Sequence, residues 1–525
     1  MLAFLILGAL VVLGALSTLA AAVGSAAWWV LLGVVALLLV LGAVDVVQRR
    51  HAILRNYPVI GHLRFLLEAI RPELQQYFIE RNVDGRPFSR DTRTIVYERA
   101  KGIAGEKAFG TELDVNAVGY EYLVHSAAPA DEPSSPHRVR IGGPDCSRPY
   151  EMALLNVSAM SFGSLSANAI RALNAGAALG GFAHDTGEGG LSRYHLERGG
   201  DLVWELGSGY FGARTREGGF DPQQFADKAA HDAVRCVSLK LSQGAKPGIG
   251  GVLPGPKVTA EIAEARGVPP GRTVTSPSRH SAFSTPRELV RFVARMRELA
   301  GGKPAGIKLC VGTRVDVLAV VKAMLDEGTG PDFIVVDGSE GGTGAAPLEY
   351  EDHVGTPLTE GLVLVHNALV GAGLRDRVRI GASGKVATGT DIVKRIIQGA
   401  DYTNAARAMM MATGCIQSQR CHTNQCPVGV ATQDPKRARA LVVADKQHRV
   451  HRYQRATVAE ATRMMASLGA TQPAELHPRM LRRRVAPTVT RSYADLYEWL
   501  EPGQLLAEPP HDWAADWERA NPDRF

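Results

Sequence analysis

From Met152 onward, short apolar runs alternate with stretches of helical periodicity, and this alternation limits the fold more than any other feature of the chain. Eight runs read as strands: Ala153–Val157, Gly181–His184, Cys236–Leu241, Arg272–Thr275, Gly306–Cys310, Phe333–Val336, Val378–Ile380 and Ala400–Asn404. Helical patterns separate most of them, at Ala167–Ala178, Pro222–Val234, Val258–Arg266, Pro286–Ala300, Arg314–Glu327, Leu358–Val370 and Thr390–Gln398. Eight strands with alternating helices predict an α/β fold, a (β/α)8 TIM barrel. A doubly wound sheet is the competing architecture, but its usual Gly-x-Gly-x-x-Gly signal is absent after the first strand.

A barrel gathers its chemistry at the carboxyl ends of its strands, and here those ends are polar and glycine-rich. They read Ala159-Met160-Ser161-Phe162-Gly163-Ser164 after the first strand and Asp185-Thr186-Gly187-Glu188-Gly189-Gly190 after the second. Ser242-Gln243-Gly244-Ala245-Lys246-Pro247-Gly248 follows the third, Asp337 to Gly344 the sixth, and Ala382-Ser383-Gly384-Lys385 the seventh. Simple turns explain some of these glycines; their recurrence at strand ends favours a ligand site. Backbone N–H groups in such loops cradle phosphate, which makes Gly341, Gly342, Thr343, Ser383, Gly384 and Arg407 the phosphate candidates. Lys240 on the third strand and Lys308 on the fifth are flanked by apolar residues. A lysine inside a barrel is costly unless it meets an anion, although Lys240 could reach solvent at its strand end.

Residues 1–47 are almost wholly apolar, with Asp45 their one charged side chain. Gly24-Ser25-Ala26 divides them into two runs, each long enough to span a bilayer. A signal peptide would need a basic start and a shorter apolar run. Arg49, Arg50 and Arg55 follow the second run and no Lys or Arg precedes it, so the positive-inside tendency predicts a multi-pass cell-membrane protein with its catalytic domain in the cytoplasm, and Trp28 and Trp29 at the outer interface. The expected division is 1–47, two transmembrane helices; 48–149, a mixed N-terminal extension; 150–433, the barrel; and 434–525, a C-terminal helical region. The net charge of +6 comes from scattered residues, with Arg482-Arg483-Arg484 the one run, read as a solvated helix face, and no basic stripe with interleaved aromatics points to nucleic acid.

Cys415, Cys421 and Cys426 fall in one loop, Gly414 to Gln433, among Gln, Ser, Arg, His, Thr and Asn rather than the apolar neighbours of packing cysteines. Zinc patterns use closer pairs and a fourth ligand, which His422 would have to supply. Three thiolates without an obvious fourth suit an iron–sulfur cluster with one vacant corner. The six cysteines form no secreted disulfide framework.

The loop resembles the three-iron cluster loop of the glutamate synthase large subunit, including the following Cys-Pro-Val-Gly-Val-Ala-Thr-Gln, and the resemblance runs from about Ala153 to Gln433. The extension before it resembles stand-alone, membrane-anchored relatives that lack the glutaminase domain. The resemblance implies the same barrel, a [3Fe-4S] cluster on the three cysteines and FMN, with its phosphate in the glycine loops. Met160, Ser161, Lys240 and Asp337 join the expected cofactor-binding residues, and Lys308 stands for the family's strand-five lysine, which stabilises charge on reduced flavin. Gln243 and Lys246 match the residues that hold 2-oxoglutarate, Arg266 the carboxylate-binding arginine, and Glu188 a glutamate near the ammonia entrance; Lys246 and Glu188 are the expected catalytic pair.

Two departures matter. The family's Gly-Glu-Gly-Gly-Gln is here Gly248-Ile249-Gly250-Gly251-Val252, and no glutaminase domain with its nucleophilic cysteine is present. The expected reaction is therefore reductive amination of a 2-oxoacid, 2-oxoglutarate to glutamate, with ammonia from outside this chain. A ferredoxin or a separate NAD(P)H-dependent subunit is the expected electron donor. The alternatives are an FMN oxidoreductase for another oxoacid or amine, and a membrane-tethered electron-transfer subunit.

Overall fold

The computed structural model describes residues 2–24, 26–103 and 105–525. Met1, and Ser25 at the centre of the expected break between spans, lie outside the described residues. The chain forms two units, Met1–Arg90 and Asp91–Phe525.

In the first unit, α1 (Leu2–Val23) and α2 (Ala26–Val47) pack against each other. Both are long and apolar enough to cross a membrane, over windows of 18 and 21 residues. Asp45 is buried near the end of α2. Two further helices follow, α3 (Ala52–Asn56) and α4 (Gly61–Leu74), the latter running into a π-turn at Gln75–Ile79. Pro72 sits inside its last turn.

The second unit is built on a closed barrel of eight parallel strands in sequence order: β1 (Leu155–Val157), β2 (His184–Asp185), β3 (Leu202–Leu206), β4 (Val234–Lys240), β5 (Ala305–Leu309), β6 (Phe333–Asp337), β7 (Arg379–Ser383) and β8 (Tyr402–Ala405). The expected fold is observed, with one strand exchanged. Leu202–Leu206 is a barrel strand that periodicity did not reveal, because all five of its residues are buried and Glu205 interrupts its apolar run. Arg272–Thr275 is not in the barrel; Val274–Thr275 pairs antiparallel with Val252–Leu253 in a separate ribbon. Lys240 therefore ends the fourth strand, not the third, and the Gln243–Lys246 loop follows β4.

An antiparallel hairpin, Arg138–Ile141 with Tyr150–Ala153, closes the amino-terminal end of the barrel. Its Ile141 and Met152 pack on Ala183, Val203, Cys236, Phe333 and Tyr402. The outer core lies between strands and helices, from Trp204 and Phe225 round to Leu362 and Ile380. The long helix Val443–Ser467 lies along Ala167–Gly180, and its Gln454 donates to the Leu155 carbonyl of β1 at 3.1 Å. The Arg482–Arg484 run is on a strand, Leu481–Ala486, paired on one side with Glu121–Leu123 and on the other with Val489–Ser492. Alternation explains it: Leu481 is buried while Arg482 stays in water. The chain end also packs, through Trp513 under the guanidinium of Arg314.

Candidate functional site

Each expected site residue outside the cysteine loop lies at the carboxyl end of a barrel strand or in the loop or helix that follows it. Met160 and Ser161 follow β1, Glu188 follows β2, and Lys240 ends β4 with Gln243 and Lys246 just beyond. Lys308 is the fourth residue of β5, Asp337 ends β6, and Ser383 ends β7. Arg407 begins the helix after β8, and Arg266 ends a helix, Ala260–Arg266, reached from the β4 loop.

Hydrogen bonds knit these loops into one surface. Lys240 Nζ lies 2.9 Å from Glu188 Oε1 and donates to Gln243 Oε1, whose amide Nε2 donates to Thr343 Oγ1 at 3.1 Å. The Gly244 N–H donates to Asp337 Oδ2 at 2.9 Å. A Cβ on Gly244 would lie 1.9 Å from the Gly338 carbonyl oxygen, so the β4 and β6 loops meet backbone to backbone. Ser158 and Ser383 share a hydrogen bond of 3.3 Å between β1 and β7, and Arg407 Nη2 donates to the Glu340 carbonyl at 2.7 Å.

Lys240, Lys246 and Arg266 are buried around one carboxylate, Glu188. Burial alone would push the Glu188 carboxyl up, but Lys240, Arg266 and Lys308 outweigh it and hold it below its usual range. Burial lowers Lys246, and the neighbouring Lys240 lowers it further. Burial also brings Arg266 down to about 10. Arg266 stacks over Phe211 at 5.1 Å and donates weakly from Nη2 to Ser161 Oγ at 3.3 Å. Its Nε is buried with no acceptor among the described residues, an incomplete satisfaction that a carboxylate ligand would relieve. Gly251 comes so near Glu188 that a Cβ would lie 2.1 Å from Oε1. The altered loop with Ile249 and Val252 thus rests on this carboxylate, with the Val252 side chain itself exposed.

Three further residues were not legible from the sequence. Glu205 of β3 forms an ion pair with Lys308 of β5 inside the barrel. Despite burial, Glu205, Asp185 and Asp337 hold the Lys308 ammonium above its usual range. Asp185, buried and beside Glu205, is pushed up to about 8. Lys257 is buried in a short Gly-Pro-Lys turn and donates to the Ser164 carbonyl at 2.8 Å and to that of Cys421 at 3.3 Å. It ties the loop after β1 to the cysteine loop, as do Gln433, donating to Leu165 O at 2.7 Å, and Ser166, donating to Gly429 O at 2.7 Å.

Cys415, Cys421 and Cys426 lie within Coulombic reach of one another, and burial pushes the Cys415 thiol up to about 12. Among the described residues no three His, Cys, Asp or Glu side chains close around a single ion. The loop holds three non-glycine residues, Gln417, Gln419 and Asn424, in left-handed conformation at φ of 57°, 55° and 63°, strain of a kind that gathers at functional loops.

A family model described as a conserved region in glutamate synthase matches residues 146–471. Glutamate synthase large subunit-like protein YerD of Bacillus subtilis (strain 168) is 39% identical over 468 residues, covering 81% of this chain and 89% of that protein. Archaeal-type glutamate synthase (NADPH) of Thermotoga neapolitana is 37% identical over 287 residues, 54% of this chain and 53% of that protein, so the chain spans about half the length of this relative. Among solved structures, an oxidized active mutant of (S)-mandelate dehydrogenase aligns over 75% of this chain and 98% of its own with a TM-score of 0.44 at 13% identity.

Proposed function

We propose, because this chain belongs to the glutamate synthase family of oxidoreductases, that it reductively aminates a 2-oxoacid, 2-oxoglutarate to glutamate, with ammonia supplied from outside the chain. The observation that carries this reading is the local cluster of Lys240, Lys246 and Arg266 around Glu188, while the other carboxylates of the barrel, Asp185, Glu205 and Asp337, face Lys308. Such a cluster suits a dianionic substrate, and the spare Arg266 donor suits bidentate capture of a carboxylate.

The loops fit FMN. Gly341, Gly342, Thr343, Ser383 and Gly384 present backbone at the ends of β6 and β7 beside Arg407, and would hold its phosphate. Met160, Ser161 and Asp337 line the same mouth, and Lys308, kept protonated by Glu205, would supply positive charge that stabilises the reduced flavin. Bound there, FMN supplies hydride transfer to the substrate. The donor set of Cys415, Cys421 and Cys426 fits a [3Fe-4S] cluster, which supplies single-electron storage. Gln243, Lys246 and Arg266 orient the oxoacid. Glu188, held ionised by Lys240, accepts N–H bonds from ammonium and positions it rather than acting as a strong base. Lys246, lowered by burial and by Lys240, releases a proton more readily than an ordinary lysine. A ferredoxin or a separate NAD(P)H-dependent subunit is the proposed redox partner; the Thermotoga relative carries NADPH in its name.

α1 and α2 form the proposed membrane hairpin, supported by their length and composition and by Arg49, Arg50 and Arg55 beyond the second. On this reading the catalytic unit is cytoplasmic.

Anaerobic reoxidation of the reduced, purified flavoprotein by a panel of oxoacid and amine pairs tests the reaction. Reoxidation confined to 2-oxoglutarate with ammonia is expected. Turnover with a different pair transfers the assignment to a second substrate class, which the altered Ile249–Val252 loop, with its Gly251 against Glu188, favours. If no pair reoxidises the flavin while a one-electron acceptor does, the chain is an electron relay.

A further inference from the structure

The segment after the second apolar helix has a feature that the oxidoreductase reading does not use. Asp45, buried at the end of α2, accepts a hydrogen bond from the Val59 N–H at 2.8 Å and pairs with His62 Nε2 at 2.9 Å. The first turn of α4 is therefore tied to the end of α2. From that anchored end, Leu63, Leu66, Leu67, Ile70 and Leu74 follow the three- and four-residue spacing of one helix face, a stripe about 100° wide. The stripe is bare within its own unit: Leu63 is 57% exposed, Leu66 56% and Leu67 50%. The opposite face carries Arg64, paired with Glu68 at 2.9 Å, and Arg71.

A soluble helix buries such a stripe; here it starts level with the point where an apolar hairpin ends. The charge around it is mostly positive. Between Gln48 and Leu74 there are five arginines (Arg49, Arg50, Arg55, Arg64 and Arg71) against two acids, Glu68 and Glu73. Beyond the helix, Tyr77 and Phe78 are also exposed. An apolar stripe flanked by arginines and aromatics, continuous with membrane spans, matches the surface of an anionic bilayer.

We propose that α4 lies along the cytoplasmic surface of the membrane, with the Leu63–Leu74 stripe in the lipid and the Arg64–Glu68–Arg71 face toward water, docked on anionic phospholipid. This rests on the reading of α1 and α2 as membrane spans. At about 1.5 Å per residue its 14 residues make a rod roughly 20 Å long. The Asp45–His62 contact then fixes where the rod leaves the hairpin, and Asp45 has a structural partner at the boundary instead of an unpaired charge.

The test places the photo-crosslinking residue benzoylphenylalanine singly at Leu37, Leu67 or Glu68 of the full chain, reconstituted in vesicles of phosphatidylcholine and phosphatidylglycerol. Leu37 lies exposed on α2. Lipid adducts are expected at Leu37 and Leu67, with several-fold less at Glu68. If Leu37 labels lipid but Leu67 labels peptides from residues 91–525 or a second copy, the docking proposal is overturned and the spans stand. Equal labelling at Leu67 and Glu68 also overturns it. Absence of lipid adducts at Leu37 removes the spans themselves, and the proposal with them.

Discussion

Lys240, the last residue of β4, meets Glu188, in the loop after β2, at 2.9 Å. The lysine is buried, and against the cost of burial it is the largest influence holding the Glu188 carboxyl below its usual range. Glu188→Gln keeps the shape and removes the charge. Breaking a buried pair from one side costs about 3–5 kcal/mol, and loss of a group that positions the reacting amine costs at least about 10²-fold in rate. Full flavin content, a lower melting temperature and an amination rate reduced by that factor are expected. A variant with wild-type turnover would remove Glu188 from the site. Flavin absorbance and stopped-flow reoxidation measure both.

Arg266 offers a cleaner separation of binding from chemistry. Its guanidinium is fixed over Phe211 and, among the described residues, keeps a donor without a partner. Arg266→Lys retains the charge and loses the planar fork, so the oxoacid KM should rise by about tenfold, or 1.4 kcal/mol. Flavin reduction by dithionite should be unchanged. If kcat falls and KM stays, the residue acts elsewhere than on substrate.

How much of this was legible follows from where each residue's signal lies. The strand-end glycines, Lys240, Lys308 and the cysteine loop carry composition that stands out locally, and the structure brings the barrel-mouth residues together as the strand count required. Glu205 carried no such signal. Leu202–Leu206 is buried on both faces, so it shows no alternation, and a glutamate inside an apolar run argues against a strand until its partner Lys308, a hundred residues away, is known. Arg272–Thr275 has the β-branched composition of a strand and is one, but it pairs antiparallel with Val252–Leu253 outside the barrel. Propensity reports a pleated environment and not which sheet provides it. Lys257 sits in a turn, where a lysine ordinarily reaches water, and its burial depends on two loops distant in sequence.

Asp185 gives a prediction in pH. Asp185 and Glu205 share the single ammonium of Lys308 deep in the barrel, and burial with the neighbouring Glu205 raises Asp185 to about 8. In the unfolded chain the same carboxyl titrates near 3.8. Between these values the folded state holds a proton that the unfolded state has lost, so this group's contribution to stability falls as pH rises, by at most about 1.4 kcal/mol per pH unit. Asp185→Asn removes the titration while keeping an acceptor for the Gly187 N–H, which now donates to Asp185 Oδ1 at 2.9 Å. The melting temperature of the variant relative to the wild type should climb from pH 5 to pH 8 and level off above. A difference that is flat across this range would show that Asp185 is ionised in the folded protein.

The cysteine loop is held from outside by its carbonyls. Lys257 binds Cys421 O, and Tyr97 Oη donates to Cys415 O at 2.8 Å. Burial raises Cys415 to about 12, so this side chain stays protonated at neutral pH unless a cationic centre displaces the proton. Replacing one of three thiolate ligands by a hydroxyl should leave the barrel intact and empty the loop. Cys421→Ser, purified without oxygen, is expected to retain flavin and lose iron and acid-labile sulfide to background, with the matching loss of the cluster's electron paramagnetic resonance signal. Cys310→Ser is the control, because that thiol lies beside Val311 and Thr356 at the end of β5 and outside the loop; its iron content should match the wild type. Iron that survives Cys415→Ser, Cys421→Ser and Cys426→Ser alike would place the metal elsewhere. A wild-type protein that takes up no iron on anaerobic reconstitution would leave the strained loop as a structural clasp between Lys257 and the loop after β1.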